Sequence, residues 1–250
     1  MQNKKLLFYE RLRSGKDLFH PVVSFNPKKD KIAHLDCTEN NKDLAEIDLT
    51  DTKIFSDYIE LTRKEKKARY LIGGYNENRT LYKRSRLFDL PTAKDSNVHT
   101  KDLPVEPRTL HLGTDIWGVE GTEIYAPIGG RIHSFAFNDH FGDYGATLIL
   151  LHQLDGLLFY SLYGHLALKD LGGLNEGKFM SRGELIGHFG GPSENGHWPP
   201  HLHFQLILDI NNFKGDYPGV CSLKEKKFYL ENSPDPDVIL NLNKYLTASH

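Results

Sequence analysis

The chain has 250 residues, of which 39% are hydrophobic and 26% are charged, and its formal net charge is -2. This is enough for one globular domain, or for one domain with a smaller appendage. The charge balance excludes an overall field that would recruit nucleic acid or an anionic membrane. No apolar stretch approaches the roughly 20 residues of a membrane span.

The first residues do not carry the pattern of a secretory signal. The apolar run Leu6-Leu7-Phe8-Tyr9 ends at Glu10, whereas a signal has about 7 to 15 apolar residues and a small-residue cleavage site. The two cysteines, Cys37 and Cys221, form no metal-binding pair in the sequence. We therefore expect a cytoplasmic protein with both thiols reduced.

Residues 1–105 are expected to form a mixed helical and irregular N-terminal region whose role the sequence does not indicate. Residues 3–14 place apolar side chains among charges, which predicts a short amphipathic helix. A second helix is predicted after residue 51 by apolar residues at helical spacing, namely Ile54, Phe55, Tyr58 and Ile59. Polar residues and prolines between 75 and 106 are typical of a connecting segment.

Residues 106–212 predict a compact antiparallel β domain, so the fold class is mainly β. Short apolar runs alternate with glycines without a helical period. The predicted strands are 123–126, 131–137, 147–153, 158–166, 184–189 and 201–208. Residues 213–250 are expected to be a tail that packs on this domain and ends in a short helix, with Asp235 as its cap and Pro236 in its first turn.

His201 and His203 lie in the last predicted strand, and their side chains point to the same face because alternate residues of a strand do so. Such a pair is either part of a metal site or two histidines held by hydrogen bonds. The upstream segment His111-Leu-Gly-Thr-Asp115 favours the metal. Two imidazole nitrogens and one carboxylate oxygen make a zinc site with an open fourth position, as in catalytic rather than structural zinc.

A third histidine, His165, ends the strand predicted at 158–166. Counting by twos puts it on one face with Phe159, Ser161 and Tyr163. If that face looks toward His201, two further imidazoles flank the open position. Zinc lowers the pKa of a bound water to about 7, and imidazoles accept and donate protons near that pH. These residue types suffice for metal-assisted amide hydrolysis.

Five motifs together resemble those of the lysostaphin-type zinc metallopeptidase family, in that family's order and spacing. They are His111-x3-Asp115, Gly121–Pro127, Tyr163-Gly-His165-Leu, Arg182–Gly187 and His201-Leu-His-Phe204. The resemblance implies that His111, Asp115 and His203 bind one zinc ion and that His165 and His201 are the catalytic pair. It also implies a compact antiparallel β fold, and hydrolysis of a peptide bond in peptidoglycan-type or glycine-containing peptides by a zinc-bound water.

Three features depart from the family pattern. Gln205 stands where many members have glutamate, the loop 190–200 is longer than the usual turn, and no export signal is seen. The tail resembles a subgroup that is sometimes joined to aminotransferase-like chains, for which a cell-wall substrate is not implied. Two alternatives therefore stay open, namely a cytosolic amidase or peptidase acting on a non-cell-wall substrate, and a non-hydrolytic regulatory module that contains zinc.

The predicted substrate-binding residues are Trp198, Tyr163 and His197. Trp198 lies between a glycine-rich loop and two prolines, which suits the wall of a cleft, whereas Trp117 is expected in the core. The expected partner is a peptide or a peptidoglycan fragment, and the oligomeric state is left open. In this family a preceding segment sometimes occupies the zinc, and the candidate side chains for that here are Asn76 and Asn78.

Overall fold

The computed structural model describes residues 2–13, 19–90 and 106–246. The helices are α1 (Gln2–Arg13), α2 (Lys42–Ala45), α3 (Thr52–Glu65), α4 (Lys226–Asn232) and α5 (Asp237–Leu240). The strands are β1 (Ile32–His34), β2 (Tyr70–Gly73), β3 (Leu110–His111), β4 (Thr114–Trp117), β5 (Glu123–Tyr125), β6 (Gly130–Asn138), β7 (Gly145–Leu154), β8 (Leu157–Leu166), β9 (Phe179–Met180), β10 (Leu185–His188), β11 (His201–Ile207) and β12 (Val220–Cys221). Within these ranges, no helix has the length and apolar character needed to cross a bilayer.

The main sheet has eight strands in the order β1-β2-β4-β11-β8-β7-β6-β9. Every neighbouring pair except β1 and β2 is antiparallel. Two small antiparallel sheets, β5 with β10 and β3 with β12, complete the β structure. The predicted mainly β, antiparallel fold is confirmed, and each of the six predicted strands is present with ends that differ by a few residues.

The N-terminal region contributes two strands to this sheet. β1 and β2 pair with each other, and β2 pairs with β4 in a register that sets Gly73 opposite Asp115. These strands have three and four residues, too few for a clear period of two, so the sequence did not predict them. The three-part division of the chain stays a prediction, although the main sheet crosses its boundary at residue 106.

Helix α3 begins with the kind of cap that its sequence predicts. Asp51 caps α3 by accepting hydrogen bonds from the backbone nitrogens of Lys53 and Ile54, and α3 buries Phe55 and Ile59. The predicted C-terminal helix is present but short, because α5 ends after four residues. Its cap position is taken by Pro236 rather than by the predicted Asp235, whose Oδ1 accepts a hydrogen bond from Asp237 N at 2.9 Å. Helix α4, which precedes it, was not predicted.

Both faces of the main sheet are covered at β11, since every residue of that strand is buried. Leu202, Phe204 and Leu206 of β11 belong to the largest hydrophobic cluster, on one face. The alternating residues His201, His203 and Gln205 point to the opposite face. There they lie between two smaller clusters, one around Trp117 and Trp198 and the other around Tyr144 and Leu162. The histidines are thus carried into the interior by a strand that the core holds from both sides.

Candidate metal centre

The side chains of His111, Asp115 and His203 converge on one point. His111 Nε2 lies 3.0 Å from His203 Nδ1, and Asp115 Oδ1 lies 3.3 Å from the first nitrogen and 3.1 Å from the second. All three residues are buried, and their candidate ligand atoms lie within 4.8 Å of one another. The pairing of β4 with β11 places Asp115 directly opposite His203. His111 lies at the end of β3, and only two residues separate β3 from β4, so His111 lies near Asp115.

The outer nitrogen of each imidazole is held by an acceptor. His111 Nδ1 donates to the carbonyl oxygen of Gly74 at 2.8 Å, and His203 Nε2 lies 3.0 Å from Oε1 of Gln205. The amide nitrogen of Gln205 donates to Pro218 O and Ser233 Oγ, so its oxygen faces the imidazole. Because an acceptor on one ring nitrogen fixes the proton there, the other nitrogen presents a lone pair to the cluster. Gln205, which departs from the family pattern, therefore still orients His203.

In these tautomers, His111 Nε2, His203 Nδ1 and Asp115 Oδ1 face one another as three electron-pair donors. Burial, followed by the charge of Arg79, lowers the pKa of His111 to about 4, so its imidazole is neutral at pH 7. Burial alone would raise the pKa of Asp115, but its charged and hydrogen-bonding neighbours, among them the guanidinium of Arg79, hold that pKa well below its usual value. Two nitrogen lone pairs and a carboxylate oxygen that meet in a buried site repel each other unless a cation joins them. The donor set is that of a zinc site with three protein ligands.

His165 and His201 lie beside this cluster. Their ring centroids are 4.1 Å apart, and His201 stacks on Trp117 at 3.8 Å. His165 Nδ1 donates to Asn195 O at 2.8 Å, and His201 Nδ1 donates to Pro199 O at 2.7 Å. In both rings the remaining nitrogen, Nε2, is thus free to exchange a proton. Burial lowers the pKa of His201 to about 4 and that of His165 well below its ordinary value, so both are neutral at pH 7.

Four of the five residues, Asp115, His165, His201 and His203, line one cavity of about 230 Å³ together with aromatic side chains. The aromatic residues in its wall are Tyr82, Phe88, Trp117, Tyr144, Trp198, Phe213 and Tyr217. A peptide that enters this cavity reaches the cluster with most of its water removed. The arrangement is suited to chemistry on a carbonyl group next to a metal.

His165 reaches the cavity by a route that alternation along β8 does not predict. Phe159 and Tyr163 lie in the large hydrophobic cluster on the opposite face, as counting by twos requires. Between Tyr163 and Leu166 the pairing with β7 shifts by one residue, and His165 adopts a φ of 64°. This bulge turns the imidazole to the side of His201. The prediction that Tyr163 and His165 share a face is therefore wrong.

Tyr163 was also predicted to contact substrate, and its position contradicts this. Its ring packs on Phe204 at a centroid distance of 5.3 Å, and Ser161 Oγ donates to its hydroxyl at 3.0 Å. The side chain is completely buried on the face away from the cavity. Its role is packing.

Trp198 and His197 are neighbours in the chain but differ in position. Trp198 lines the cavity, is buried, and donates from Nε1 to the carbonyl of Asp143 at 3.2 Å. His197 is exposed, and the centroid of its ring lies 5.6 Å from that of the Phe141 ring. Its carbonyl oxygen accepts a hydrogen bond from Arg84 at 2.8 Å. A cleft wall fits Trp198 and does not fit the exposed imidazole of His197.

A sequence model described as "Peptidase family M23" matches residues 109–214. These residues form a peptidase family M23 domain. The matched segment contains all five clustered residues, His111, Asp115, His165, His201 and His203. The family supports a metallopeptidase. None of the curated proteins matches the chain.

Several solved structures are similar to the chain. A zinc-containing peptidase from Vibrio cholerae is 25% identical over 42% of this chain and 30% of its own length, with a TM-score of 0.32. A protein from Pseudomonas aeruginosa described as a peptidase M23 is 20% identical over 52% of this chain and 43% of its own, with a TM-score of 0.34. The catalytic domain of lysostaphin from Staphylococcus simulans is 24% identical over 48% of this chain and 80% of its own, with a TM-score of 0.34. The chain thus spans less than half of the first two proteins.

Arg79 and Gly74 contact side chains of the cluster from outside the M23 domain, and the sequence reasoning missed both. Arg79 is buried and binds the second carboxylate oxygen of Asp115, and Gly74 supplies the carbonyl that holds His111. Asn76 and Asn78, which were considered as side chains that might occupy the zinc, are exposed. Arg79 lies in a polar stretch with no periodicity, so no sequence signal marked it.

Proposed function

We propose that the protein is a zinc-dependent metallopeptidase that hydrolyses a peptide bond at the cavity beside His203. One arrangement supports this most: three candidate ligand atoms, from His111, Asp115 and His203, meet beside a cavity that two neutral imidazoles also border. The M23 domain that contains these residues supports the same class of reaction.

The metal, when bound, supplies Lewis acidity that polarises a carbonyl and makes a water acidic near neutral pH. His165 and His201 then serve as proton carriers. Each is neutral at pH 7, and each has Nδ1 bound to a backbone carbonyl, so Nε2 accepts a proton from the attacking water and later donates it to the departing amine. After it is protonated, the same nitrogen donates to the developing oxyanion.

The substrate in this proposal is a peptidoglycan-type or glycine-containing peptide. The cavity of about 230 Å³ is small for a binding site, and the rings of Tyr82, Phe88, Tyr144 and Trp198 narrow it. A peptide with little or no side chain at the cleaved bond fits such a space better than one with a bulky residue.

The proposal is tested by separating zinc binding from turnover. His165→Asn and His201→Gln each remove the proton carrier, and asparagine tolerates the positive φ of His165. We expect both variants to retain one zinc per chain and to lose about 100-fold to 10,000-fold in cleavage rate of glycine-containing peptides. Asp115→Ala is expected to lose both zinc and activity. Full activity in both histidine variants would refute the assigned roles.

The two alternatives are outcomes of the same test. Cleavage of small amides but of no wall-type peptide would support an amidase or peptidase with another substrate. Zinc bound by the wild-type protein, with no cleavage of a broad peptide and amide panel, would support a non-hydrolytic module and contradict the proposed hydrolysis.

A further inference from the structure

Arg79 lies in the interior next to the metal centre, although it belongs to the N-terminal region. Its guanidinium binds two carboxylates: Nη1 lies 2.5 Å from Asp115 Oδ2, and Nε lies 2.7 Å from Glu77 Oε2. The side chain is 1% exposed. A buried guanidinium fixed between two carboxylates has little rotational freedom, so it can impose an orientation on each of them.

The two oxygens of Asp115 have different partners. Oδ1 faces the nitrogens of His111 and His203, whereas Oδ2 faces Arg79. Arg79 thus engages the oxygen that points away from the imidazoles and leaves Oδ1 as the single ligand oxygen. Without it, Oδ2 would lose the contact that fixes its orientation.

The same segment also holds a second ligand. The carbonyl oxygen of Gly74 accepts from His111 Nδ1 at 2.8 Å and from Arg79 Nη2 at 3.3 Å. Gly73, which is paired with Asp115, passes so close that a Cβ there would lie 2.6 Å from Arg79 Nη2. Residues 73–79 form a segment that we name the Arg79 clamp. It contacts two of the three candidate ligands, His111 and Asp115, through the atoms of these side chains that face away from the cluster.

We propose that Arg79 is a positioning residue of the metal centre and that the Arg79 clamp is a necessary part of that centre, outside the M23 domain. This inference rests on the proposed function only in taking His111, Asp115 and His203 as metal ligands. Partners that orient metal ligands in this way typically contribute 10-fold to 100-fold to metal affinity.

Charge alone would act in the opposite direction. A guanidinium near a divalent cation repels it, so removing Arg79 would strengthen metal binding if repulsion dominated. Glu77, however, offsets the positive charge at a distance of 2.7 Å, and loss of Arg79 would leave two buried carboxylates without their shared partner. We therefore expect orientation to outweigh repulsion.

The test measures zinc affinity in the full-length protein, first freed of metal and then titrated with zinc alone against a chromogenic chelator. Arg79→Met is expected to bind zinc about 10-fold to 100-fold more weakly than the wild-type protein. Arg79→Lys, which keeps the charge but not the planar fork, should be intermediate. Gly73→Ala, which displaces the guanidinium without removing it, should also weaken binding and serves if Arg79→Met does not fold.

Arg84→Met is the matched control. Arg84 is also buried, and its hydrogen bonds within the described residues go to Thr52 and His197 rather than to a ligand. Its removal is expected to lower the thermal midpoint of the zinc-free protein and to leave zinc affinity within about twofold, because these hydrogen bonds hold none of the three candidate ligands in place. If Arg79→Met binds zinc as tightly as the wild-type protein, or more tightly, the proposed role of the Arg79 clamp is wrong, while the proposed function is unaffected. A wild-type protein that binds no zinc would overturn the proposed function as well.

Discussion

The backbone at Gly113 lies directly against the imidazole of His203. A Cβ atom at position 113 would lie 2.6 Å from both Cε1 and Nε2 of that ring. The glycine between His111 and Asp115 is therefore required by close approach rather than by an unusual φ. It lets His111 from β3, Asp115 from β4 and His203 from β11 meet in the same place.

The first prediction is that Gly113→Ala weakens zinc binding. The added methyl group must displace His203. We expect the displaced ligand to weaken zinc binding about 10-fold to 100-fold, as the loss of a partner that orients a ligand does. Chelator competition measures this. Gly187→Ala is the control, because a Cβ there meets atoms at 3.4 Å or more, an ordinary contact. Equal zinc affinity in both variants would show that position 113 tolerates a side chain.

The second prediction concerns the backbone of His165, whose φ is 64°. Asparagine adopts this conformation more readily than a β-branched residue does. We expect His165→Val to be less stable to urea than His165→Asn by about 1–2 kcal/mol. Equal unfolding free energies would mean that the bulge relaxes at no cost.

That bulge also marks the limit of what the sequence could predict about the sheet. The apolar runs between glycines located β5 to β8, β10 and β11, because alternation is a strong signal in strands of this length. Alternation fails wherever one extra residue is inserted. The face of the sheet to which His165 points is determined by such an insertion in β8, and the pattern of apolar residues does not indicate it.

For the candidate site, the sequence brought together five residues that lie close to one another in the structure, because His111, Asp115, His165, His201 and His203 recur in a known order. It could not find the residues that orient them. Arg79 and Gly74 lie in a region without periodicity, and only the pairing of β2 with β4 carries them to Asp115. Contacts between distant segments of this kind depend on topology rather than on local pattern.

The third prediction is that Trp198 contributes to substrate binding and not to zinc binding. Its ring lines the cavity, and the guanidinium of Arg84 lies 4.3 Å from the ring centroid on its surface. Trp198→Phe is expected to raise KM about tenfold, the equivalent of about 1.4 kcal/mol, with zinc affinity unchanged. Steady-state kinetics and chelator competition on the same preparation measure the two effects. Parallel loss of both would contradict the cleft-wall role.

The fourth prediction uses the largely buried carboxyl of Asp216 in the cavity wall. Burial, followed by the charge of Asp143, raises the pKa of Asp216 to about 6. Between the unfolded pKa of about 3.9 and this value the folded protein binds more protons, so its stability falls as the pH rises through that window.

Asp216→Asn removes this dependence. We expect the variant to be more stable than the wild-type protein at pH 7.5, by up to about 3 kcal/mol, and the difference to shrink toward zero near pH 4, where the carboxyl is protonated in both states. Urea unfolding at the two pH values measures it. A difference that does not change with pH would contradict the raised pKa.

The most direct measurement is a crystal structure of the zinc-loaded protein with an anomalous difference map at the zinc absorption edge. The account predicts one peak at about 2.0–2.2 Å from His111 Nε2, Asp115 Oδ1 and His203 Nδ1, with Arg79 on the other oxygen of Asp115. A peak held by other side chains, or the absence of a peak between these three atoms in a protein saturated with zinc, would contradict it.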